Sequence, residues 1–134
     1  MDLSYTPEQL AFQDEVRSFL QDKLPAHLSD KVKGGKRLGK ADYEEWHAIL
    51  NERGWLAATW APEYGGTGWD AVQRHIFEME TTAAGAPRIV PFGLHMLGPV
   101  LQKFGNQQQK DYWLPRILNG DDWGCQGYSE PGAG

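Results

Sequence analysis

The sequence predicts a mostly α-helical fold of about five to six helices, with one strand at the C-terminal end. Apolar residues recur at helical spacing, as at Phe12, Val16 and Leu20, and capping residues and glycines separate the helical stretches. Only at the end does the pattern change to the alternating bulky and small residues of an extended strand. We therefore divide the chain into a helical domain, residues 1–120, and the start of a second, β-type domain, residues 121–134.

The first predicted helix has a start signal and a stop signal. Thr6 can cap it, Pro7 suits the first helical position, and Gln9 completes a capping box. Pro25 cannot continue a helix, so the helix should end at about Lys23.

A basic stretch, KVKGGKRLGK at residues 31–40, holds five basic residues and three glycines. This composition predicts a solvated loop, and contact with a nucleotide phosphate is the less favoured alternative. The next helix should be capped by Asp42, bury Trp46 and Leu50, and stop at Gly54.

The stretch TWAPEYGGTGWD, residues 59–70, combines a proline and three glycines with aromatic residues, which predicts a structured loop. Its last residue, Asp70, should cap a helix that ends near Gly85. The glycines of YGGTGW do not follow a strand, so they do not indicate a dinucleotide-binding loop.

The stretch PFGLHMLGPVLQKFG, residues 91–105, is apolar almost all round, which predicts the most buried helix of the fold. Its glycines and Pro99 should break it into two pieces. Asn106 and Gln109 form the capping pair of the last helix, which Pro115 should kink or split.

Composition excludes several classes of protein. The net charge of −5 argues against a nucleic-acid binder, and no apolar run approaches the ~20 residues that cross a bilayer. The N-terminal residues lack a secretory signal, and Cys125 is the single cysteine, so we expect a cytoplasmic protein without an internal disulfide. We expect Cys125 to be a buried structural residue.

Two further stretches offer candidate sites. His75 and Glu78 have the spacing of a di-metal helix pair, but no second such pair accompanies them, so we expect no metal. The end of the chain, GYSEPGAG at residues 127–134, fits an ordinary Pro-Gly turn, and it also fits a loop whose backbone comes close to a large ligand.

Several motifs together resemble one family. GYSEPGAG, preceded by LQKFGNQQQKDYWLPRILNGDDWGCQ and by WAPEYGGTGW, is similar to the N-terminal part of the flavin-dependent acyl-CoA dehydrogenases, and the resemblance runs in order over nearly the whole chain. Within the family it is most similar to the bacterial branch that acts on longer or unusual acyl chains, such as the dicarboxylyl (pimeloyl) type. The resemblance implies an N-terminal helical domain, a middle β-domain and a C-terminal helical bundle, of which this chain would hold the first and the opening strand of the second.

The resemblance also implies an activity and a cofactor, FAD. Such enzymes remove the α-hydrogen of an acyl-CoA thioester as a proton while the β-hydrogen leaves as a hydride to the flavin, giving a trans-2-enoyl-CoA. The hydroxyl and backbone N–H of Ser129 would bond the pyrimidine edge of the flavin. The positions that match the family assign cofactor binding to Gln126, Tyr128, Ser129 and Gly134, and acyl-chain binding to Phe92, His95 and Met96.

The chain lacks the family's catalytic glutamate, so we expect a fragment that is inactive alone. The whole enzyme would pass electrons to an electron-transfer flavoprotein or similar acceptor and would form a homo- or hetero-oligomer. Two other interpretations stay open: a stand-alone helical interaction module that pairs its strand edge with a partner chain, and a helical structural domain with a disordered end.

Overall fold

The computed structural model describes residues 4–128 and 130–133 of the chain and confirms the helical fold class. Six α-helices follow one another in the described part: α1 Pro7–Lys23, α2 Ala26–Lys33, α3 Lys40–Arg53, α4 Ala71–Ala84, α5 Gly98–Phe104 and α6 Gln107–Asn119. A 3-10 turn, Pro62–Tyr64, lies between α3 and α4, and a π-helix, Phe92–Leu97, leads directly into α5.

Local capping chemistry places most of the helix starts. Complete capping boxes begin α1, α4 and α6 at Thr6, Asp70 and Asn106, as predicted. The prediction that Asp42 is the N-cap of α3 is wrong, because the N-cap is Gly39 and the helix begins at Lys40. Asp42 instead lies in the first turn, where its carboxylate accepts a hydrogen bond of 2.8 Å from the backbone N–H of Gly39. The Asp42 carboxylate therefore satisfies a backbone N–H at the start of α3, although Asp42 is not the N-cap.

An aromatic cluster joins α1, α4 and the loop after α3. The ring of Trp69 lies 5.1 Å from Phe12, 5.3 Å from Trp55 and 5.2 Å from Phe77, measured between centroids. Tilted and edge-on aromatic pairs at this separation add to the stabilisation that burial provides. The cluster fixes α1 against α4 and forms one end of the core.

The basic stretch is more ordered than predicted. Helix α2 continues through Lys33, so only residues 34–39 form a loop. Lys31 Nζ lies 2.6 Å from a carboxylate oxygen of Asp42, and the Lys36 N–H donates to the Lys31 carbonyl at 2.8 Å. These contacts anchor the loop at both ends.

The apolar stretch before α6 is broken into two pieces, as predicted, but it is not the most buried part of the fold. Leu94 and Gly98 are buried, whereas Met96, Val100 and Phe104 are 46%, 53% and 74% exposed. A helix that is apolar all round needs protein on every side, and this chain leaves the side with Met96, Val100 and Phe104 uncovered. That side is an apolar surface.

Pro115 does not split the last helix. Helix α6 runs without interruption from Gln107 to Asn119 and ends at Gly120, which adopts the left-handed conformation that favours glycine (φ 75°). The prediction that Pro115 splits the helix is therefore wrong.

The predicted C-terminal strand is also absent from the described residues, because 121–128 and 130–133 form no ladder with any other described segment. A strand needs a neighbour to satisfy its backbone groups, and the helices offer none. Cys125 lies in this irregular segment and is exposed, so the prediction of a buried cysteine is wrong.

Candidate functional site

The segment that leads to the predicted cofactor residues passes the start of the predicted acyl-binding helix at Gly124. The segment after α6 crosses the start of the π-helix there, and a Cβ atom placed on Gly124 would lie 3.3 Å from Phe92 Cβ and 3.4 Å from the Gly93 nitrogen. Contacts this short are tighter than ordinary van der Waals distances, so the crossing favours glycine. Gly124, two residues before the predicted cofactor residue Gln126, therefore lies against the first turn of the predicted acyl-binding helix.

Two contacts hold the segment in this position. The Trp123 ring stacks on His47 of α3, with centroids 4.9 Å apart and planes 24° apart. One residue earlier, Asp122 forms a two-point ion pair with Arg116 of α6, and this pair lowers the pKa of the Asp122 carboxyl. Gly124 thus follows two residues that are tied to different helices.

His47 is a buried, neutral imidazole. Only 7% of the residue is exposed, and burial, together with the nearby His95, lowers its pKa to about 4. The Val90 N–H donates to Nε2 at 3.1 Å, so the proton of the neutral ring is on Nδ1. His47 therefore links α3, the loop before the π-helix and the Trp123 segment.

Trp60 holds the broken helix from the other side. Its indole Nε1–H donates to the Leu94 carbonyl at 2.6 Å, and a Cβ atom on Gly98 would lie 2.2 Å from the ring. Gly93 is constrained more mildly, because a Cβ there would lie 2.9 Å from Cγ2 of Ile117 of α6. π-helical turns occur frequently at functional sites, and this one is packed on two sides.

The predicted site residues differ in exposure. Phe92 is half-buried, while His95 and Met96 are exposed on the π-helix. Gln126 is exposed and Tyr128 is 85% exposed. Ser129 and Gly134 lie outside the described residues.

Residues 124–128 fit a binding segment. No hydrogen bond joins them to another described residue, and a Cβ atom on Gly127 would meet nothing within 4 Å. Their backbone N–H and C=O groups and the Gln126 amide are available to the polar edge of a flavin, a group that such donors and acceptors suit.

A large cavity adjoins the π-helix and was not predicted. It has a volume of about 850 Å³, and His95 lies in its wall. Its lining is mainly apolar, with Trp46, Phe77 and Ile89 among the contributors. The basic loop of residues 34–39 lies at its edge, and no local sequence pattern shows that this loop and the π-helix share a cavity.

The chain matches a family model. Residues 6–121 match the acyl-CoA dehydrogenase N-terminal domain. The chain belongs to the acyl-CoA dehydrogenase family. This match covers every helix of the fold and confirms the resemblance drawn from the motifs.

Individual acyl-CoA dehydrogenases are similar over the same region. Acyl-CoA dehydrogenase FadE26 of Mycobacterium tuberculosis is 39% identical over 100% of this chain and 34% of its own length. Acyl-CoA dehydrogenase IpdE1 of the same organism is 38% identical over 92% of the chain and 33% of its own length. The chain thus spans about a third of the length of the curated relatives it matches.

Solved acyl-CoA dehydrogenase structures share the fold. The ChsE4-ChsE5 complex from Mycobacterium tuberculosis matches 100% of this chain and 33% of the matched chain, with a TM-score of 0.78 and 36% identity. The Tcur3481-Tcur3483 steroid ACAD matches 100% of this chain and 34% of the matched chain, with a TM-score of 0.80 and 36% identity. Both neighbours are complexes of two different proteins.

We expect Trp123→Ala to loosen the segment that leads to the cofactor positions of this acyl-CoA dehydrogenase chain. Without the indole, the stack on His47 and the 2.9 Å bond from Nε1 to the Gly120 carbonyl are both lost. The measurement is the backbone NMR order parameter of residues 124–126, which should fall below about 0.6. Trp113→Ala, which removes a half-exposed indole elsewhere on α6, is the control and should change nothing there. Unchanged order parameters in Trp123→Ala would show that the stack does not position the segment.

Proposed function

We propose that the protein to which this chain belongs catalyses the α,β-dehydrogenation of an acyl-CoA thioester to a trans-2-enoyl-CoA, with FAD as cofactor. One observation carries this proposal: the segment with the cofactor positions crosses the helix with the acyl-binding positions at Gly124 and Phe92. A cofactor on the first and an acyl chain on the second would lie side by side, which hydride transfer requires.

Each residue has a proposed role. Gln126, Tyr128, Ser129 and Gly134 hold the flavin edge, where hydrogen-bond donors stabilise the charge that the flavin gains. FAD, when bound, supplies the acceptor for the hydride that leaves the β-carbon. Phe92, His95 and Met96 border the acyl chain, and the apolar surface of the broken helix excludes water from it.

The base that accepts the α-proton is not among these residues. We place it in the part of the protein that lies beyond the region shared with this chain, since the relatives are about three times as long. The exposed apolar residues Leu97, Val100 and Phe104 support this view, because such a surface on a soluble domain is normally covered by other protein. We therefore expect the 134-residue chain to be inactive alone.

The proposal extends to the assembly, the electron acceptor and the location of the whole protein. Since the structural neighbours are complexes of two different proteins, we propose that the whole protein is an oligomer of like or unlike subunits. An electron-transfer flavoprotein or similar acceptor would reoxidise it. Within the described residues no helix is long and apolar enough to cross a membrane, and we propose the cytoplasm as its location.

The test is the flavin content and substrate range of the complete gene product. We expect a yellow protein that releases FAD on denaturation and oxidises acyl-CoA thioesters in the presence of an artificial electron acceptor. A series from straight-chain to ring-bearing acyl groups defines the substrate, because one structural neighbour is described as a steroid ACAD. A colourless protein that neither binds added FAD nor oxidises any thioester of the series would contradict the proposal.

A further inference from the structure

One buried imidazole contacts both segments of the proposed site. Nε2 of His47 accepts a hydrogen bond of 3.1 Å from the N–H of Val90, which lies shortly before the predicted acyl-binding residue Phe92. The face of the same ring stacks on Trp123, shortly before the predicted cofactor residue Gln126, with centroids 4.9 Å apart. The edge and the face of one ring are therefore engaged by two separate segments.

The contact with Val90 has no substitute in the loop before the π-helix. Between Pro87 and Pro91, the N–H of Val90 is the one backbone N–H that donates a hydrogen bond to another described residue. The two prolines have no N–H to donate. Without the acceptor on His47, the chain would enter the π-helix with no backbone donor tied to the core.

The stack is the contact that ties the segment after α6 to α3. Among the described residues, the hydrogen bonds of residues 121–123 all join them to Arg116 or Gly120 at the end of α6. His47 is itself firmly placed, because its neighbour Trp46 packs α3 into the core. A side chain on a packed helix is a precise support for a binding segment.

The space beside the His47 ring is too small for a cofactor or an acyl chain. His47 lines a cavity of about 20 Å³ together with Val90, Gly93 and Trp123. A cavity of that volume has room for about one water molecule, and only 7% of His47 is exposed. The imidazole therefore acts on a ligand only through the two segments that it holds.

We propose that His47 is a positioning residue of the dehydrogenation site, with a separate role for each of its two contacts. The Nε2 acceptor sets the start of the acyl-binding helix, and the ring face sets the segment that leads to the cofactor positions. The identity of the two ligands rests on the proposed function, whereas the two contacts do not. Because the contacts use different parts of the ring, each is removable without the other.

The test compares two His47 variants of the complete gene product in three measurements. The first is the dissociation constant of FAD, from titration of the apoprotein followed by flavin fluorescence. The second is the hydrogen-exchange rate of the Val90 N–H, from mass spectrometry of peptides that span it. The third is KM for the acyl-CoA thioester that the unaltered protein oxidises fastest.

Each variant keeps one contact. His47→Gln keeps an acceptor for Val90 and loses the ring, so FAD should bind about 3- to 10-fold more weakly, with exchange and KM within about twofold. His47→Phe keeps a ring for Trp123 and offers no acceptor. In that variant the Val90 N–H should exchange about tenfold faster and KM should rise about 3- to 10-fold, with FAD affinity within about twofold.

The controls make the same changes elsewhere or approach the stack from its other side. His75→Gln and His75→Phe alter an exposed histidine of α4 and should leave all three measurements within about twofold. Trp123→Leu should weaken FAD binding as His47→Gln does and leave Val90 exchange unchanged. Because Trp123 is only half-buried, this variant tests the stack even if a His47 variant does not fold.

A purely structural role for His47 would overturn the proposal, and it would show itself in one of three ways. Both variants would change all three measurements together, or neither would change FAD affinity or KM, or His47→Phe would free the Val90 N–H without raising KM. In each of these cases the unaltered protein still binds FAD and oxidises a thioester, so the dehydrogenation proposal stands. An unaltered protein that does neither would instead reject the dehydrogenation proposal, whatever the exchange rate of Val90 in the variants.

Discussion

Gly98→Ala is expected to lower the free energy of unfolding of the chain by about 3 kcal/mol. The added Cβ would lie 2.2 Å from Cζ2, 2.6 Å from Cε2 and 2.9 Å from Nε1 of Trp60. The indole cannot move aside freely, because it is 3% exposed and donates a 2.6 Å hydrogen bond to Leu94. Overpacking costs about 1–3 kcal/mol, and loss of a buried hydrogen bond adds to it. Urea denaturation followed by tryptophan fluorescence measures the change.

Gly127→Ala is the matched control for the same chemical change. A Cβ atom there meets no atom within 4 Å, so its effect should stay within about 0.5 kcal/mol. If the two alanine variants were equally stable, Trp60 would not hold the broken helix as described. The result bears on function, because the same indole positions the Leu94 turn between Phe92 and His95.

Acidification from pH 7.5 to pH 5 is expected to remove about 2 kcal/mol of stability through His47. Its pKa is about 4 in the folded chain, against the ordinary value of 6.5, so the unfolded chain binds the proton more readily. The contribution of His47 to the free energy of unfolding is therefore fully present above pH 6.5 and is lost as the pH falls toward 4. Protonation of Nε2 would also break the bond from the Val90 N–H.

His47→Gln is the control, since glutamine keeps a hydrogen-bond acceptor and does not titrate. Urea midpoints measured at both pH values should converge between the two proteins as the pH falls, because only the unaltered chain loses the His47 contribution. The window above pH 5 separates His47 from the carboxyls of Glu80 and Asp122, whose pKa values are lowered in the folded chain, because their contributions are lost only as the pH falls below the ordinary values of 4.5 and 3.8. Parallel pH profiles for the two proteins would show that His47 is not the titrating group.

Features that depend on neighbours in sequence could be predicted. The capping boxes at Thr6, Asp70 and Asn106 require residues three positions apart, and Gly54 and Gly85 end helices in the left-handed conformation. These local rules gave the helical fold class, which the structure and the family match confirm.

Features that depend on distant residues could not be predicted in the same way. The apolar stretch that contains Val100 and Phe104 was expected to be buried, but burial depends on what else surrounds a helix and not on its composition. A strand requires a pairing partner, and none lies among the described residues. The stack of Trp123 on His47 joins residues far apart in sequence, and no periodic pattern indicates such a contact.

The candidate site was predicted through family motifs and not through physical patterns. Glycines and a Pro-Gly turn allow a close ligand but do not require one, so Gln126 and Tyr128 had no assignment until the resemblance supplied it. The structure adds the close approach of Gly124, two residues before Gln126, to Phe92 at the start of the π-helix. Lys36 and Arg37 belong to the basic run, but their place in the wall of a cavity that His95 also lines depends on the fold.

The most direct test of the proposed activity is anaerobic mixing of the complete, flavin-loaded gene product with acyl-CoA, followed by mass spectrometry of the thioester. Flavin absorbance near 450 nm should bleach, and the thioester should lose two hydrogen atoms as a trans-2 double bond, while the 134-residue chain with added FAD should convert none of it. An unchanged thioester across straight-chain, ring-bearing and carboxylate-bearing acyl groups would contradict the central claim that this chain is part of an acyl-CoA-oxidising flavoenzyme.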